Sequence, residues 1–381
     1  MRCRRRRWMR YSTSSPLSAS TADWHLCRCG WSNTSCVGAT SPSRCSAERT
    51  RSYTPMGILA PMSEGRLQHL PVSLFASVMG LGGTALAWRR AAMVWDVPQL
   101  PFYLFLVAAL ATFVLVATLY VTKWVRYPAA AAAELRHPVR MTFAPTITIA
   151  LLVLATALAE EAPAVASVLW WVGAAGHLTA MVAVVTTWSQ RPDIGAAAIT
   201  PAWFIPVVGN VVVPLAARKV GAEDVGWFFF GVGIIMWLSI LPLVMERILT
   251  HENPFPPKLM PTMAVFVAPP AVSTVSWHSL TGTVLDPIGR ILYAAAIAFL
   301  LLLAAQLPRL VKVPFGLPFW AYTFPLAAAS VAATTMAGSR PALGYNVVAV
   351  VLLAVATGVV LLVAALTLRA AARGQILVPE G

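Results

Sequence analysis

His177 stands in Gly173-Ala-Ala-Gly176-His177 and is the clearest titratable group inside an apolar run of this sequence. An ionisable side chain at such a place is the usual handle for coupling transport to protons. The small residues around it predict a close helix contact, which favours a hydrogen-bonded packing role. Asn210 follows Pro206 by four residues, and its amide is placed to bond backbone that the proline frees rather than a substrate. Familiar catalytic chemistry is absent from the sequence: no H-E-x-x-H, no paired Asp-rich metal motif and no Gly-x-Ser-x-Gly elbow. Haem would want facing histidines, and His177 has no obvious partner, with His278 close to the edge of its apolar run. No enzyme activity and no cofactor is expected. His25, Cys27, Cys29 and Cys36 lack paired C-x-x-C spacing, so no metal site is expected of them.

A second pattern joins proline to phenylalanine. Phe143-Ala-Pro145, Phe204-Ile-Pro206, Phe266-Val-Ala-Pro269-Pro270 and Phe324-Pro325 recur, with steps of 61, 63 and 56 residues between Pro145, Pro206, Pro269 and Pro325. Pro71 followed by Phe75 reads as a worn fifth copy. A buried proline removes a backbone hydrogen bond, exposes a carbonyl and kinks its helix. Broken backbone is tolerated at membrane depth only where protein or a water-filled cavity covers it. The chemistry on offer is that of a passage, with apolar rings that exclude water and distorted backbone beside a cavity. Phe75, Phe143, Phe204 and Phe266, with Pro145, Pro206, Pro269 and Pro325, are the candidates for lining or kinking it.

Membrane helices are the elements that must position these residues. The 381-residue chain is 58% hydrophobic and 11% charged, whereas soluble domains carry ~25% charged residues. So few charges cannot coat a folded surface, and the apolar majority excludes disorder. Runs of the roughly 20 apolar residues a bilayer requires fall at 71–88, 101–122, 139–159, 163–188, 198–217, 225–247, 259–281, 285–307, 315–337 and 344–368. The fold expected is an all-α polytopic membrane protein. The proline-broken spans are the odd ones, so they are expected to form an inner ring and the even spans an outer, lipid-facing one. The seventh span, with three prolines and His278, belongs inside.

The formal net charge is +14, and residues 1–69 alone hold eleven Arg against three acidic residues. Much of the basicity is therefore in a short stretch, and no nucleic-acid partner is needed to explain it. Residues 1–66 read as a basic, Ser/Arg/Cys-rich disordered tail, or as an over-extended start before initiation at Met56 or Met62. Residues 67–373 form the membrane transport domain and 374–381 a short C-terminal tail. Eleven Lys and Arg, from Lys123 and Arg126 to Arg369 and Arg373, fall in the joints on one side, against six in those on the other: Arg89, Arg90, Arg218, Lys219, Arg290 and Arg340. The excess places both termini in the cytoplasm.

Thr200-Pro-Ala-Trp-Phe-Ile-Pro-Val-Val-Gly-Asn210, continuing to Val213-Pro214-Leu215, resembles the fifth helix of the tellurite-resistance/dicarboxylate transporter family. That family includes bacterial TehA proteins, fungal malate permeases and sulfite exporters, and the plant slow-type guard-cell anion channels. Phe319-Trp-Ala-Tyr-Thr-Phe-Pro325 resembles its ninth helix, Leu70-Pro-Val-Ser-Leu-Phe75 with Gly80 and Gly82 its first, and Phe266-Val-Ala-Pro-Pro-Ala271 its seventh. The resemblance covers residues 67–370. It implies ten transmembrane helices as five hairpins with quasi-fivefold symmetry around a central pore, in a homotrimer set in the plasma membrane. It implies a phenylalanine that occludes the pore, which falls on Phe324 here, with Phe319 the alternative if the register shifts. The implied function is transmembrane transport of C4-dicarboxylates such as malate, of sulfite or of small inorganic anions. A proton-coupled dicarboxylate or sulfite carrier of the same fold is the alternative. The residues add that no Lys, Arg, Asp or Glu lies mid-span, while basic residues at the mouths would raise local anion concentration. With so few titratable groups inside, a passive channel is preferred to a coupled carrier.

Overall fold

Proline placement sets the local structure of half the helices. The structure, a computed structural model, describes residues 65–191, 194–195, 198–250 and 256–377. His25, Cys27, Cys29 and Cys36 lie outside the described residues, as does all of the N-terminal segment before Gly65. Every regular element among the described residues is helical. Helix α1 (Ala76–Trp95) packs on α2 (Leu100–Arg126), which leads into the short α3 (Pro128–Arg136). Helix α4 (Thr146–Leu158) packs on α5 (Pro163–Gln190), and α6 (Phe204–Val208) and α7 (Pro214–Val220) pack on α8 (Glu223–Thr250). Helix α9 (Ala268–Thr281) packs on α10 (Pro287–Ala305), then α11 (Leu307–Leu310) follows, and α12 (Thr323–Ser339) packs on α13 (Leu343–Ala372).

Each odd span begins as a tight 3-10 helix before it becomes α. The 3-10 stretches are Val72–Phe75, Arg140–Phe143, Pro201–Trp203, Pro257–Val267 and Leu317–Tyr322. Pro145 caps α4, while Pro206, Pro269 and Pro325 fall within the first three residues of α6, α9 and α12. In the first turn of a helix an amide N–H has no α-helical partner, so a proline costs little there. The prolines thus mark where 3-10 winding gives way to α, rather than kinking the middle of a span.

Burial separates the two sets of spans. Among the apolar windows, 67–78% of residues are buried in Arg140–Leu158, Pro201–Val220 and Pro257–Thr281, against 17–33% in α2, α5, α8, α10 and α13. The inner spans touch in a closed circuit: α1 with α4, α4 with α7, α7 with α9, α9 with α12, and α12 with α1. The outer helices expose Leu, Val and Ile side chains such as Leu104, Val114, Val172, Ile235, Leu301 and Leu361, as a helix facing lipid does.

Eight segments among the described residues are long and apolar enough to cross a bilayer, and the first and ninth expected spans are not among them. Gly80, Gly82, Gly83, Arg89 and Arg90 dilute α1, and α12 has only 17 residues, with Ser330, Thr334 and Thr335 along it. Both are held inside protein, where a helix has no need of a greasy surface. The first helix also runs on to Trp95 instead of ending at residue 88. Arg89 and Arg90 therefore belong to a helix rather than to a joint.

Candidate functional site

Two cavities lie along the inner spans. The smaller, about 70 Å³, is lined by Ser73, Phe143, Phe204, Val265 and Leu317, one from the N-terminal part of each odd span, and by no charged side chain. The larger, about 410 Å³, is lined by Arg90, Thr156, Lys219, His278 and Thr335, from the C-terminal parts of the same five spans. All five therefore run parallel, with one cavity at their 3-10 ends and a polar vestibule at the other. Among the described residues, only Val272 and Phe324 line both. The two side chains form the septum between an apolar chamber and a charged one.

The septum is set by close packing between α1 and α12. A Cβ built on Gly80 would collide with the Thr323 side chain, so only glycine lets α1 lie this close to that side chain of α12. Thr323 in turn donates to the Trp320 carbonyl at 2.7 Å, within the 3-10 turn that leads into Phe324. The Phe324 ring is half-buried, as a side chain between two cavities must be.

The other phenylalanines divide. Phe143 and Phe204 line the apolar chamber, as do Pro269 and Pro325. Phe75 turns outward to α2, its ring 6.1 Å from Phe113 and 5.8 Å from Tyr120. Phe266 lies behind Phe204 at 5.2 Å and stacks on Phe299 of α10 at 5.6 Å. Neither lines either cavity, nor do Pro145 and Pro206. Phe319 packs edge-on to Phe315 and Tyr322 and lines neither cavity.

His177 and Asn210 are fully buried, and neither lines a cavity. Thr148 donates its hydroxyl to the Pro145 carbonyl at 2.8 Å, and its Oγ1 lies 2.9 Å from His177 Nδ1, within hydrogen-bond distance. Asn210 Nδ2 donates to the Val207 carbonyl at 2.8 Å and approaches Met181 Sδ at 3.0 Å. The carbonyl served stands just before the 3-10 turn Gly209–Val212, so it is not the Ala202 carbonyl that a proline at 206 frees.

The vestibule carries most of the site's charge. Arg89 pairs with Glu161 at 3.0 Å and with Glu160, donates to the Ala157 carbonyl at 3.1 Å, and covers the Phe102 ring at 4.6 Å. Lys219 pairs with Glu160 from α7. The Lys219 ammonium, with Arg89 behind it, holds the Glu160 carboxyl below its usual range. Arg90 has His278 beside it, with Nη2 to Nε2 at 3.4 Å. At the opposite end Lys123 and Glu134 form a buried pair at 2.6 Å that grips the first span, through Lys123 to the Leu70 carbonyl and the Val72 N–H to Glu134, each at 2.7 Å.

Sequence reasoning missed Val272, whose signal is its place one turn beyond Pro269, and the chamber residues Leu317 and Trp320. It placed Arg89, Arg90 and Lys219 at a mouth, but without a cavity for them to line.

Comparison with known proteins places these features in context. The profile of the voltage-dependent anion channel family matches residues 69–368. The chain is 27% identical over 304 residues to the S-type anion channel SLAH3 of Arabidopsis thaliana, covering 77% of this chain and 47% of that one. It is 25% identical over 294 residues to the tellurite resistance protein TehA homolog of Haemophilus influenzae, covering 77% and 89%. It is 27% identical over 286 residues to an uncharacterized transporter of Methanocaldococcus jannaschii, covering 68% and 82%. The chain thus spans about half the length of the plant channel and most of the two microbial proteins.

Proposed function

This chain belongs to the voltage-dependent anion channel family, and from that premise we propose that it conducts anions through a pore down its inner ring, gated by Phe324. The observation that carries the gate is the position of Phe324, one of two side chains shared by the apolar chamber and the charged vestibule. An aromatic ring in an apolar constriction closes a pore by bulk and by excluding water, since an anion there would lose its hydration with nothing to replace it. The names of the relatives, an anion channel and a tellurite resistance protein homolog, agree with anion passage. The permeant class is C4-dicarboxylates, sulfite or small inorganic anions.

In this reading the ten spans are five hairpins in quasi-fivefold array, with one pore per chain and three chains in a homotrimer. The protein sits in the plasma membrane with both termini cytoplasmic, and the apolar chamber faces the cytoplasm. The Lys and Arg excess at the 3-10 ends of the inner spans supports that orientation.

The test is a current recording on the protein and its Phe324→Ala variant in planar bilayers, with and without a proton gradient. Removing the ring is expected to raise anion current by roughly tenfold or more, a barrier change of about 1.4 kcal/mol. The current should reverse at the anion equilibrium potential and ignore the proton gradient. Malate or sulfite uptake that follows the proton gradient, with no variant current, would replace the channel by a coupled carrier.

A further inference from the structure

Charge in the vestibule does not balance locally, and the imbalance falls on one side chain. Arg89 and Lys219 are tied to Glu160 and Glu161, two cations against two carboxylates. Arg90 shares the cavity with them, but no carboxylate among the described residues pairs with it. Its neighbour is His278, itself a donor or acceptor with no formal negative charge to offer. Arg90 Nε and His278 Nδ1 are both buried without a hydrogen-bond partner. A guanidinium half removed from water without a counterion is unfavourable, and a donor left unmet adds to that. Both residues line the cavity of about 410 Å³, and the unmatched positive charge that Arg90 brings to it calls for an acceptor that carries negative charge.

We propose that Arg90 and His278 form an anion-binding site in the vestibule, selective for oxyanions and carboxylates over halides. The guanidinium is a planar fork of N–H donors that meets two oxygens of one anion at once, a match a spherical halide lacks. The imidazole supplies a further donor from α9, so the site spans α1 and α9 and closes only when the two helices pack as they do here. Its place in the vestibule, across the Phe324 septum from the apolar chamber, puts it beside the path of an anion leaving that chamber. The site rests on the reading of this chain as an anion pathway, and it adds a selectivity element to it.

The test uses the full chain in lipid nanodiscs, with nitrate as probe, chloride as comparison and constant ionic strength. A ligand that binds the folded state stabilises it by RT ln(1 + [L]/Kd) and so raises its thermal midpoint. Nitrate is expected to raise the midpoint of the native protein, chloride to do so less, and Arg90→Gln to abolish the shift. His278→Gln should weaken nitrate binding by roughly threefold and Arg90→Gln by roughly tenfold or more. Arg90→Lys keeps the charge without the fork and should bind nitrate and chloride alike. A nitrate shift of equal size in the native protein, Arg90→Gln and His278→Gln overturns the site, as does a native protein that nitrate does not shift. If Arg90→Gln fails to fold, the Arg90→Lys and His278→Gln comparisons decide the matter alone. Binding is read without transport, so a Phe324→Ala variant that passes no current removes the pore reading while the nitrate shift still stands. A variant that conducts with no nitrate shift removes the site and keeps the pore.

Discussion

Gly83 on α1 and Phe324 on α12 meet at the septum: a Cβ built on Gly83 would stand 3.2 Å from Phe324 Cδ2 and 3.2 Å from Ala327 Cβ. The wall behind the ring is thus bare backbone. A side chain added there has one direction in which to grow, into the space the ring holds. In a Phe324→Ala background, Gly83→Val is expected to refill the septum and cut the enlarged anion current by roughly tenfold. Bilayer recordings of the single and double variants check it. Undiminished current in the double variant would place the barrier elsewhere along the inner spans.

Lys123 and Glu134 form the most buried ion pair among the described residues, with side chains 3% and 4% exposed. Glu134→Ala leaves the Lys123 ammonium and the Val72 N–H without their carboxylate. Losing one partner of such a pair costs about 3–5 kcal/mol, whereas replacing both by apolar residues of similar volume costs far less. The Lys123→Met/Glu134→Leu double variant should therefore unfold later than Glu134→Ala in a denaturant titration in micelles. The reverse order would mean that the pair itself, rather than the avoidance of an orphaned charge, holds the first span.

Much of this arrangement was legible in the sequence, and the reasons for the remainder are physical. The Phe and Pro spacing marked the odd spans, because proline at the start of an α segment is a local constraint that needs no knowledge of neighbours. Phe143, Phe204, Pro269, Phe324 and Pro325 line the cavities, whereas Phe75 and Phe266 turn to outer helices. Which face a residue presents is settled by the angle at which helices pack, and spacing along one chain does not carry that angle. Val272, Gly83 and the vestibule were hidden for the same reason. Arg89 and Arg90 read as a joint because two adjacent guanidiniums rarely continue a membrane helix. Here Glu160 and Glu161, some 70 positions on, neutralise Arg89 and let α1 continue.

Glu160 lies in the link between α4 and α5 and answers to both Lys219 and Arg89. Its carboxyl is held below the usual range in the folded protein, chiefly by Lys219. A depressed folded pKa stabilises above the unfolded value of 4.5, and the gain is lost as pH falls through the folded one. Midpoint temperature should therefore be flat from neutral pH to about pH 5 and decline below it. The pair is 44% exposed, so solvent screening limits the contribution to about 1 kcal/mol or less. Glu160→Gln should flatten the acid limb of a melting series. The same substitution frees Lys219 and part of Arg89, makes the vestibule more positive, and should raise anion flux at low salt but not at high salt. A flux unchanged at low salt would show that vestibule charge does not steer the permeant.

His177 is the residue on which channel and coupled carrier part company. A proton-coupling group has to meet water or substrate during the cycle, and His177 is fully buried and lines neither cavity. Its ring is fixed by Thr148 on one side, and on the other a Cβ at Gly209 would stand 2.3 Å from Cε1. Such enclosure suits a packing role, in which the imidazole fills the gap between α4, α5 and the 3-10 turn after α6. Gly209→Ala is then expected to prevent folding, and His177→Ala to restore it in part by vacating the ring's volume. His177→Ala alone should cost about 2–5 kcal/mol, as for other large buried side chains. Anion flux through the surviving protein, measured against a proton gradient in liposomes, should show the same indifference to that gradient as the native chain. Proton-driven uptake that the native protein shows and His177→Ala loses would make the imidazole a coupling group. The buried Thr148–His177 bond would then have to break in each cycle, and that motion is readable as a pH-dependent shift of the imidazole resonance.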